Sequence, residues 1–431
     1  MNRQFSRRMA CGAMALILAA LVAQAADEPA PASLLKPGLR LAIAGDSITE
    51  QKIYSRVIET YLTVCAPELK AGVCQFGWSG ETANGFAGRM DNDLRDFAPT
   101  VVTLCYGMND GGYRAYEPAI GQGYEKALRS IVSRLVTNGV TVVVGGPGAV
   151  DTKYFARPTS TNAAEVYNEN LGQLDAIAKS LATEVKMPHA DVHGAMMDAM
   201  AKAKAALGAD YDVCGHDGVH PGPDGQLVMA YAFLKAMGLD GDLGTITVDL
   251  KGQATAAGGH KILSAQGGRV EGESTRYPFC FTGGEKTSDG TRSMLPFVPF
   301  NQDLNRLTLV VKNLGGERAS VVWGTASNEF SRAELEKGIN LAAAFPNNPF
   351  NEPFQKVDAA VAAKQNFETF LVKNVITGLP RIMAALEGDA EAAKAVALIR
   401  QKLWAKQAGY ADQVRAAFLP VKHTLTIEPV K

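Results

Sequence analysis

Between residues 39 and 242, short apolar runs alternate with stretches of helical periodicity, and no other feature of the chain restricts its fold as much. Runs at 39–44, 73–76, 101–106 and 140–144, with a weaker one at 188–192, have the length and composition of buried strands. Between them, Tyr124, Leu128, Ile131 and Leu135 fall on one face of a helix, as do Tyr167, Leu171, Leu174, Ala178 and Leu181. Strands that alternate with helices are joined by crossovers. The pattern therefore predicts an α/β fold, a parallel sheet with helices on both faces.

The texture changes after residue 242. Strand-like runs at 245–250, 260–264, 277–281, 307–312 and 320–323 are separated by Gly-rich turns, and no helical stretch is evident among them. This predicts an antiparallel β-rich module over 243–330. Ser331, with Glu334 three residues later, is a capping box that opens a helix. Residues 331–431 then read as a helical region, with helices near 353–377 and 389–418 and a closing strand at 421–429.

Residues 1–25 have the form of an export signal. Arg3, Arg7 and Arg8 precede an apolar stretch at 10–22, and Ala23-Gln24-Ala25 fits the small-x-small cleavage rule. That stretch is shorter than the roughly 20 residues of a bilayer span, so an anchor is the weaker reading. Arg7-Arg8 hints at twin-arginine export without deciding against the general route. The expected location is the periplasm or the cell exterior, with 26–37 as an Ala/Pro-rich linker and 38–242 as the α/β domain. Cys65, Cys74, Cys105, Cys214 and Cys280 lie beyond the cleavage point. An oxidising compartment permits disulfides, and Cys65 and Cys74 are close enough in sequence to form one. Cys105 lies inside an apolar run and reads as core.

Function is carried by four short blocks. Gly45-Asp46-Ser47-Ile48-Thr49 follows the first strand, which sets a serine at the carboxyl edge of the sheet, where open α/β folds place their sites. A helix starting there aims backbone N–H groups outward. Gly77-Trp78-Ser79-Gly80-Glu81-Thr82 follows the second strand, and its glycines let backbone approach a bound oxygen. Gly107-Met108-Asn109-Asp110 follows the third, with an amide able to donate to a developing oxyanion. In Asp217-Gly218-Val219-His220-Pro221, a carboxylate three residues from an imidazole can hold one ring nitrogen and leave the other as a general base. Each block alone also reads as an ordinary turn.

Together and in this order they resemble the SGNH hydrolase superfamily, the GDSL esterases and lipases, named for a Ser, a Gly, an Asn and a His in four blocks. These map to Ser47, Gly80, Asn109 and His220, over roughly residues 39–240. The C-terminal half is similar to the accessory region of secreted bacterial members. The resemblance implies a flavodoxin-like three-layer α/β/α sandwich and a serine esterase with Ser47, Asp217 and His220 as triad. It also implies an oxyanion hole from the Ser47 and Gly80 N–H groups and the Asn109 amide. Asp46 adjoins the nucleophile but reads as structural.

This chemistry needs no cofactor and no metal. The spacings His216/His220 and His189/His193 fit a zinc pair only on one helical turn, and the first spans a turn sequence while the second follows Pro188. With 43 Lys+Arg against 44 Asp+Glu, the chain has no electrostatic footprint for nucleic acid or for stable membrane insertion. The expected partner is a small-molecule or glycan ester, and the oligomeric state is left open. Trp78, Tyr106 and Tyr113 flank the blocks and are candidates for a sugar-binding face. Arg276 and Tyr277 are candidates from the β-rich module, whose turns at 271–276 and 283–292 are expected near the site. A carbohydrate O-acetylesterase is the first reading, ahead of a lipase, lysophospholipase or general carboxylesterase. A non-catalytic glycan-binding protein on a retained scaffold is a remote third.

Overall fold

The β-branched and aliphatic runs of the first half form five short strands. They are β1 (Arg40–Gly45), β2 (Gly72–Gln75), β3 (Val101–Cys105), β4 (Thr141–Gly145) and β5 (His189–Ala190). In the computed structural model, which describes residues 34–156 and 163–430, they pair in parallel in the order β2-β1-β3-β4-β5. The proposed export signal and residues 26–33 of the linker lie outside the described residues. Both faces of the sheet are buried, which is why its strands read as unbroken apolar runs. Leu41, Ile43, Val101 and Val143 face one core, lined by helices Tyr54–Val64, Val192–Leu207 and Pro223–Ala236. Ala42, Ala44, Val102 and Leu104 face the other, lined by helices Ala83–Leu94 and Pro118–Thr137. Helix Ala164–Glu184 divides its apolar stripe between them: Tyr167 and Leu171 join the first core, Leu174, Ala178 and Leu181 the second. This strand order reverses direction between β1 and β3, and the crevice beyond their carboxyl ends is where such sheets bind ligands.

Two further sheets follow. Strands β6 (Asp242–Asp249), β7 (Ala254–Ala256), β8 (His260–Gln266) and β9 (Arg269–Ser274) precede β10 (Arg306–Lys312), β11 (Arg318–Trp323) and β12 (Ala326–Ser331). Then come β13 (Ile339–Asn340) and β14 (Val421–Pro429). One sheet has the order β13-β10-β6-β7, the other β12-β11-β14-β9-β8. Pairing is antiparallel except between β6 and β10, which run parallel. That exception is possible because the chain builds β7 to β9 between them, a long enough crossover to return in the same direction.

Three expectations are corrected. Residues 277–281 form no strand. Phe279 exchanges both backbone bonds with the Asn305 amide, at 2.8 and 3.0 Å, while its ring packs on Phe281, Phe300 and Phe354. Short helical turns at Arg292–Met294 and Phe300–Asp303 interrupt the β-rich region. All five described cysteines are free and buried. Cys65 and Cys74 cannot meet, because Cys65 packs in the first core and Cys74 in the second, on the opposite face of the sheet.

Helix Arg332–Lys337 starts at the Ser331–Glu334 capping box, as the sequence predicts. Helix Asn351–Thr369 packs back onto strand β2 and helix Tyr54–Val64, and helix Ala390–Ala417 packs on Asn351–Thr369. Lys364 bonds to the Val73 carbonyl of edge strand β2 at 2.7 Å and is held between Glu59 and Glu368 at 2.9 and 2.6 Å. A buried charge cluster of this kind adds little over apolar packing, but removing one partner typically costs about 3–5 kcal/mol. The first core is continuous from Leu41 and Tyr61 through Phe300 to Trp323 and Leu425. The described residues accordingly form one compact unit.

Candidate active site

Ser47 opens a one-turn helix directly after β1, and the Asp46 carboxylate caps that turn by accepting from the Ile48 N–H at 3.0 Å. Asp46 is 2% exposed. Burial, reinforced by the neighbouring Asp110 and Glu81 carboxylates, pushes its carboxyl up to about 7. Asp46 therefore builds the turn and makes no contact with His220.

Ser47 Oγ lies 2.7 Å from His220 Nε2, and His220 Nδ1 lies 2.6 Å from Asp217 Oδ2. The other carboxylate oxygen accepts from the backbone N–H groups of Val219 and His220 at 2.9 and 2.8 Å. Burial pushes the Asp217 carboxyl up, but the bonds from His220 and Val219 outweigh it and hold it below the ordinary range. An ionised Asp217 accepts Nδ1–H, which leaves Nε2 as acceptor for the serine hydroxyl. The turn carrying both residues needs a glycine: Gly218 has φ +73°, and a Cβ there would overlap the Phe155 backbone.

The other two blocks meet at the same crevice. Asn109, beyond β3, has its Oδ1 accepting from the Tyr113 hydroxyl at 3.1 Å and one Nδ2–H donated to the Glu81 carbonyl at 3.0 Å. Among the described residues, its second amide hydrogen meets no acceptor. Asp110 ties the loops together, accepting from Gly107 and Ala83 N–H groups, each at 3.0 Å. Burial pushes its carboxyl up to about 6. Beneath them Glu81 is paired with Arg89 at 2.7 Å, and Arg89 also reaches Asp93 and the Phe76 carbonyl. Gly80 is exposed with φ +75°, which presents its backbone to solvent. Among the described residues, neither the Ser47 N–H nor the Gly80 N–H meets an acceptor.

The other sequence candidates are distributed unevenly. Tyr113 supports Asn109 and stacks on Tyr167 at 5.1 Å. Trp78 is half-buried, with Arg89 and Lys373 over its ring at 5.1 and 5.3 Å. Tyr106 is fully buried: its hydroxyl donates to Glu81 at 2.8 Å and its ring stacks on Phe86, so it offers no face to a substrate. Arg276 and Tyr277 do not reach the site. Arg276 pairs with Glu68, and the Tyr277 N–H bonds to Val64 O. Val64 is the last residue of helix Tyr54–Val64, about 16 Å long, and Glu68 lies in the turn Pro67–Leu69 just beyond it. The expected turn at 271–276 is instead the end of strand β9, through Ser274, paired with β8 and β14, and it leads into the same distant region. The turn at 283–292 is closer: the Tyr211 hydroxyl bonds Thr287 O at 3.5 Å, and Ser288 O faces Gly222, two residues after His220.

His189 bonds to Asp175 and His193 to the Gly148 carbonyl, while His216 is exposed beside Asp212. Among the described residues, no group of three or more His, Cys, Asp or Glu is placed to hold a metal, and no helix is long and apolar enough to cross a membrane. A cleft of about 600 Å³ opens beside Gly80, lined by Trp78, Thr82, Arg89, Asn92, Thr377 and Arg381. A larger one, about 720 Å³, lies at the other end of the sheet around Gly72, Phe97 and Trp404, away from this chemistry. Glu50, Ser79 and Lys373 also border the site and were not singled out in the sequence; Lys373 comes from a remote segment with no local signature.

Residues 43–228 match the model of the GDSL-like lipase/acylhydrolase family. These residues are a GDSL-type hydrolase domain. The chain is accordingly a hydrolase acting on ester bonds. Among solved structures, a gut microbial diltiazem-metabolizing enzyme is 21% identical with a TM-score of 0.70, over 93% of this chain and 99% of that one. It shares the fold through the C-terminal sheets and helices as well as the GDSL domain. A catalytic mutant of an acetylxylan esterase from Geobacillus stearothermophilus is 22% identical with a TM-score of 0.39, over 48% of this chain and 96% of that one. A GDSL-like lipase described as such from Parabacteroides merdae is 21% identical with a TM-score of 0.40, over 48% and 99%. No curated protein sequence matches the chain.

Proposed function

We propose that the protein is a serine esterase working through an acyl-enzyme on Ser47, and that its substrates are small-acyl esters of a glycan, acetyl esters first. The observation that carries the reading is the unbroken relay Ser47–His220–Asp217, at 2.7 and 2.6 Å. As Ser47 Oγ attacks the ester carbonyl, its proton passes to His220 Nε2. Asp217 holds the ring in the required tautomer and stabilises the imidazolium. The Ser47 and Gly80 N–H groups and the spare Asn109 amide hydrogen receive the oxyanion. Loss of one such donor typically raises the barrier by about 2.7–4 kcal/mol. His220 returns its proton to the leaving alcohol, then activates the water that releases the acid.

The alcohol side of the reading rests on the cleft beside Gly80. Its lining is mixed: Thr82, Arg89, Asn92, Thr377 and Arg381 offer polar groups beside the apolar surfaces of Trp78 and Pro380. A fatty acyl chain gains about 25 cal/mol for each Å² of apolar surface removed from water, and the polar groups on this wall reduce that gain. A hydroxyl-rich alcohol finds partners there. The protein acts outside the cytoplasm in this reading, after cleavage following Ala25.

The test compares p-nitrophenyl acetate, butyrate and octanoate with acetate release from acetylated xylan and pectin, using Ser47→Ala as the blank. The expected result is a steep fall in rate from acetate to octanoate together with acetate release from a polysaccharide. Preference for octanoate with silent glycans would replace the glycan reading by a lipid esterase.

A further inference from the structure

Residues 369–377 lie against the loop that carries Gly80, although they are almost 300 positions away in sequence. This stretch contains a six-residue π-helix, Phe370–Val375, a rare form that frequently marks functional sites. Lys373 projects from it. Its Nζ lies 2.8 Å from both Glu50 carboxylate oxygens. Glu50 closes the turn that begins with Ser47. Its Oε2 in turn accepts from both the hydroxyl and the backbone N–H of Ser79, the residue before Gly80. Lys373 also lies over the Trp78 ring at 5.3 Å. One ammonium group thus touches, directly or through one carboxylate, the turn of the nucleophile and both residues preceding Gly80.

We infer that Lys373 is a positioning residue for ester hydrolysis, acting through Glu50 to hold Ser79 and Gly80 in the conformation that receives the oxyanion. The inference rests on the serine-esterase reading above. Gly80 has no side chain to anchor it, and its loop is exposed at Ser79 and Gly80. The flanks of the loop are tied by the Trp78 N–H to the Gly45 carbonyl and by Asn109 to the Glu81 carbonyl, and Ser79 between them is held by Glu50, which Lys373 pairs. Burial pushes the Glu50 carboxyl up, but bonds from Lys373 and Ser79 outweigh it and keep it ionised below its ordinary range. Lys52, the other nearby cation, bonds the Glu50 backbone carbonyl. The strap does not depend on Lys373 for attachment. Gln75 bonds Thr369 at 2.6 Å, Asn92 bonds the Ile376 carbonyl at 2.8 Å, and Thr377 bonds Asp93 at 2.7 Å. The pair itself is partly exposed, so it adds little stability. Its effect is expected in the reaction, where a displacement of about 1 Å can cost up to 10²-fold in rate.

The experiment measures kcat and KM on p-nitrophenyl acetate for wild type, Lys373→Met, Glu50→Gln and the double variant, with melting temperature and hydrogen exchange of the peptide spanning 76–86. Expected for Lys373→Met is a fall in kcat of about 10- to 100-fold, KM within about twofold, a melting temperature within about 3 °C and faster exchange in 76–86. The double variant should lose no more than the worse single one, because the two residues act as one link. Unchanged kcat, a KM effect alone, or additive losses would overturn the proposal. If wild type and Ser47→Ala are equally inactive, the esterase reading fails instead. The exchange comparison then still decides the strap, since equal exchange in 76–86 contradicts it.

Discussion

At the residue scale, the site places several carboxyls in surroundings that pull them in opposite directions. Asp217 is held below its ordinary range and stays a carboxylate, while burial drives the adjoining Asp46 up to about 7. Asp46 binds more protons folded than unfolded between its ordinary value near 3.8 and 7. Its contribution is therefore full at low pH and is lost as pH rises through about 7. Asp46→Asn keeps an oxygen acceptor for the Ile48 N–H but cannot ionise. Its melting temperature relative to wild type should be more favourable at pH 8 than at pH 4.5; an equal difference at both would show that Asp46 is not held neutral. The four blocks are legible in sequence because each is contiguous and each follows or precedes an element that fixes its end of the sheet. Tyr106, expected on a sugar-binding face, was misplaced: it continues the side of β3 on which Val102 and Leu104 pack into the second core. Glu50 carries no such local mark, and Ser79, though inside the second block, is not distinguished within it, because their link to Lys373 spans 323 positions from Glu50.

At the element scale, the antiparallel sheet is joined by a buried polar chain. Trp323 Nε1 donates to His423 Nδ1 at 3.1 Å, His423 Nε2 meets Ser274 Oγ at 2.8 Å, Ser274 Oγ meets His260 Nδ1 at 2.7 Å, and His260 Nε2 meets the Leu243 carbonyl at 2.8 Å. Since the indole can only donate, one proton order satisfies every partner, with both imidazoles neutral. Burial, with His260 as neighbour, lowers His423 to about 4. The unfolded chain binds the extra proton between about 4 and 6.5, so this element loses stability as pH falls across that window. His423→Gln should therefore cost less stability at pH 4.5 than at pH 7, read from denaturant midpoints. A cost independent of pH would mean that His423 does not titrate there. The strands of this sheet were partly legible: β10, β11 and β14 are apolar runs, whereas β9 alternates Val270 with charged Arg269, Glu271 and Glu273 and reads as a turn. Their neighbours were not legible, because β14 lies between β11 and β9, strands about 100 and 150 positions earlier.

At the scale of the whole molecule, the C-terminal half is built into the hydrolase. It covers the β2 edge through Lys364, continues the first core to Leu425, and reaches the Gly80 loop through Lys373 and Glu50. Sequence separates these halves because texture changes at residue 242, while the contacts that join them are long-range and leave no local pattern. The central claim remains the chemistry at Ser47. It is tested most directly by quenching the protein in acid during turnover of p-nitrophenyl acetate and locating the label by peptide mass spectrometry. The account predicts one acetyl group on the peptide carrying Ser47, with none in Ser47→Ala and turnover lost about as severely in His220→Ala. An acetyl group on another residue, or undiminished turnover in Ser47→Ala, would contradict it.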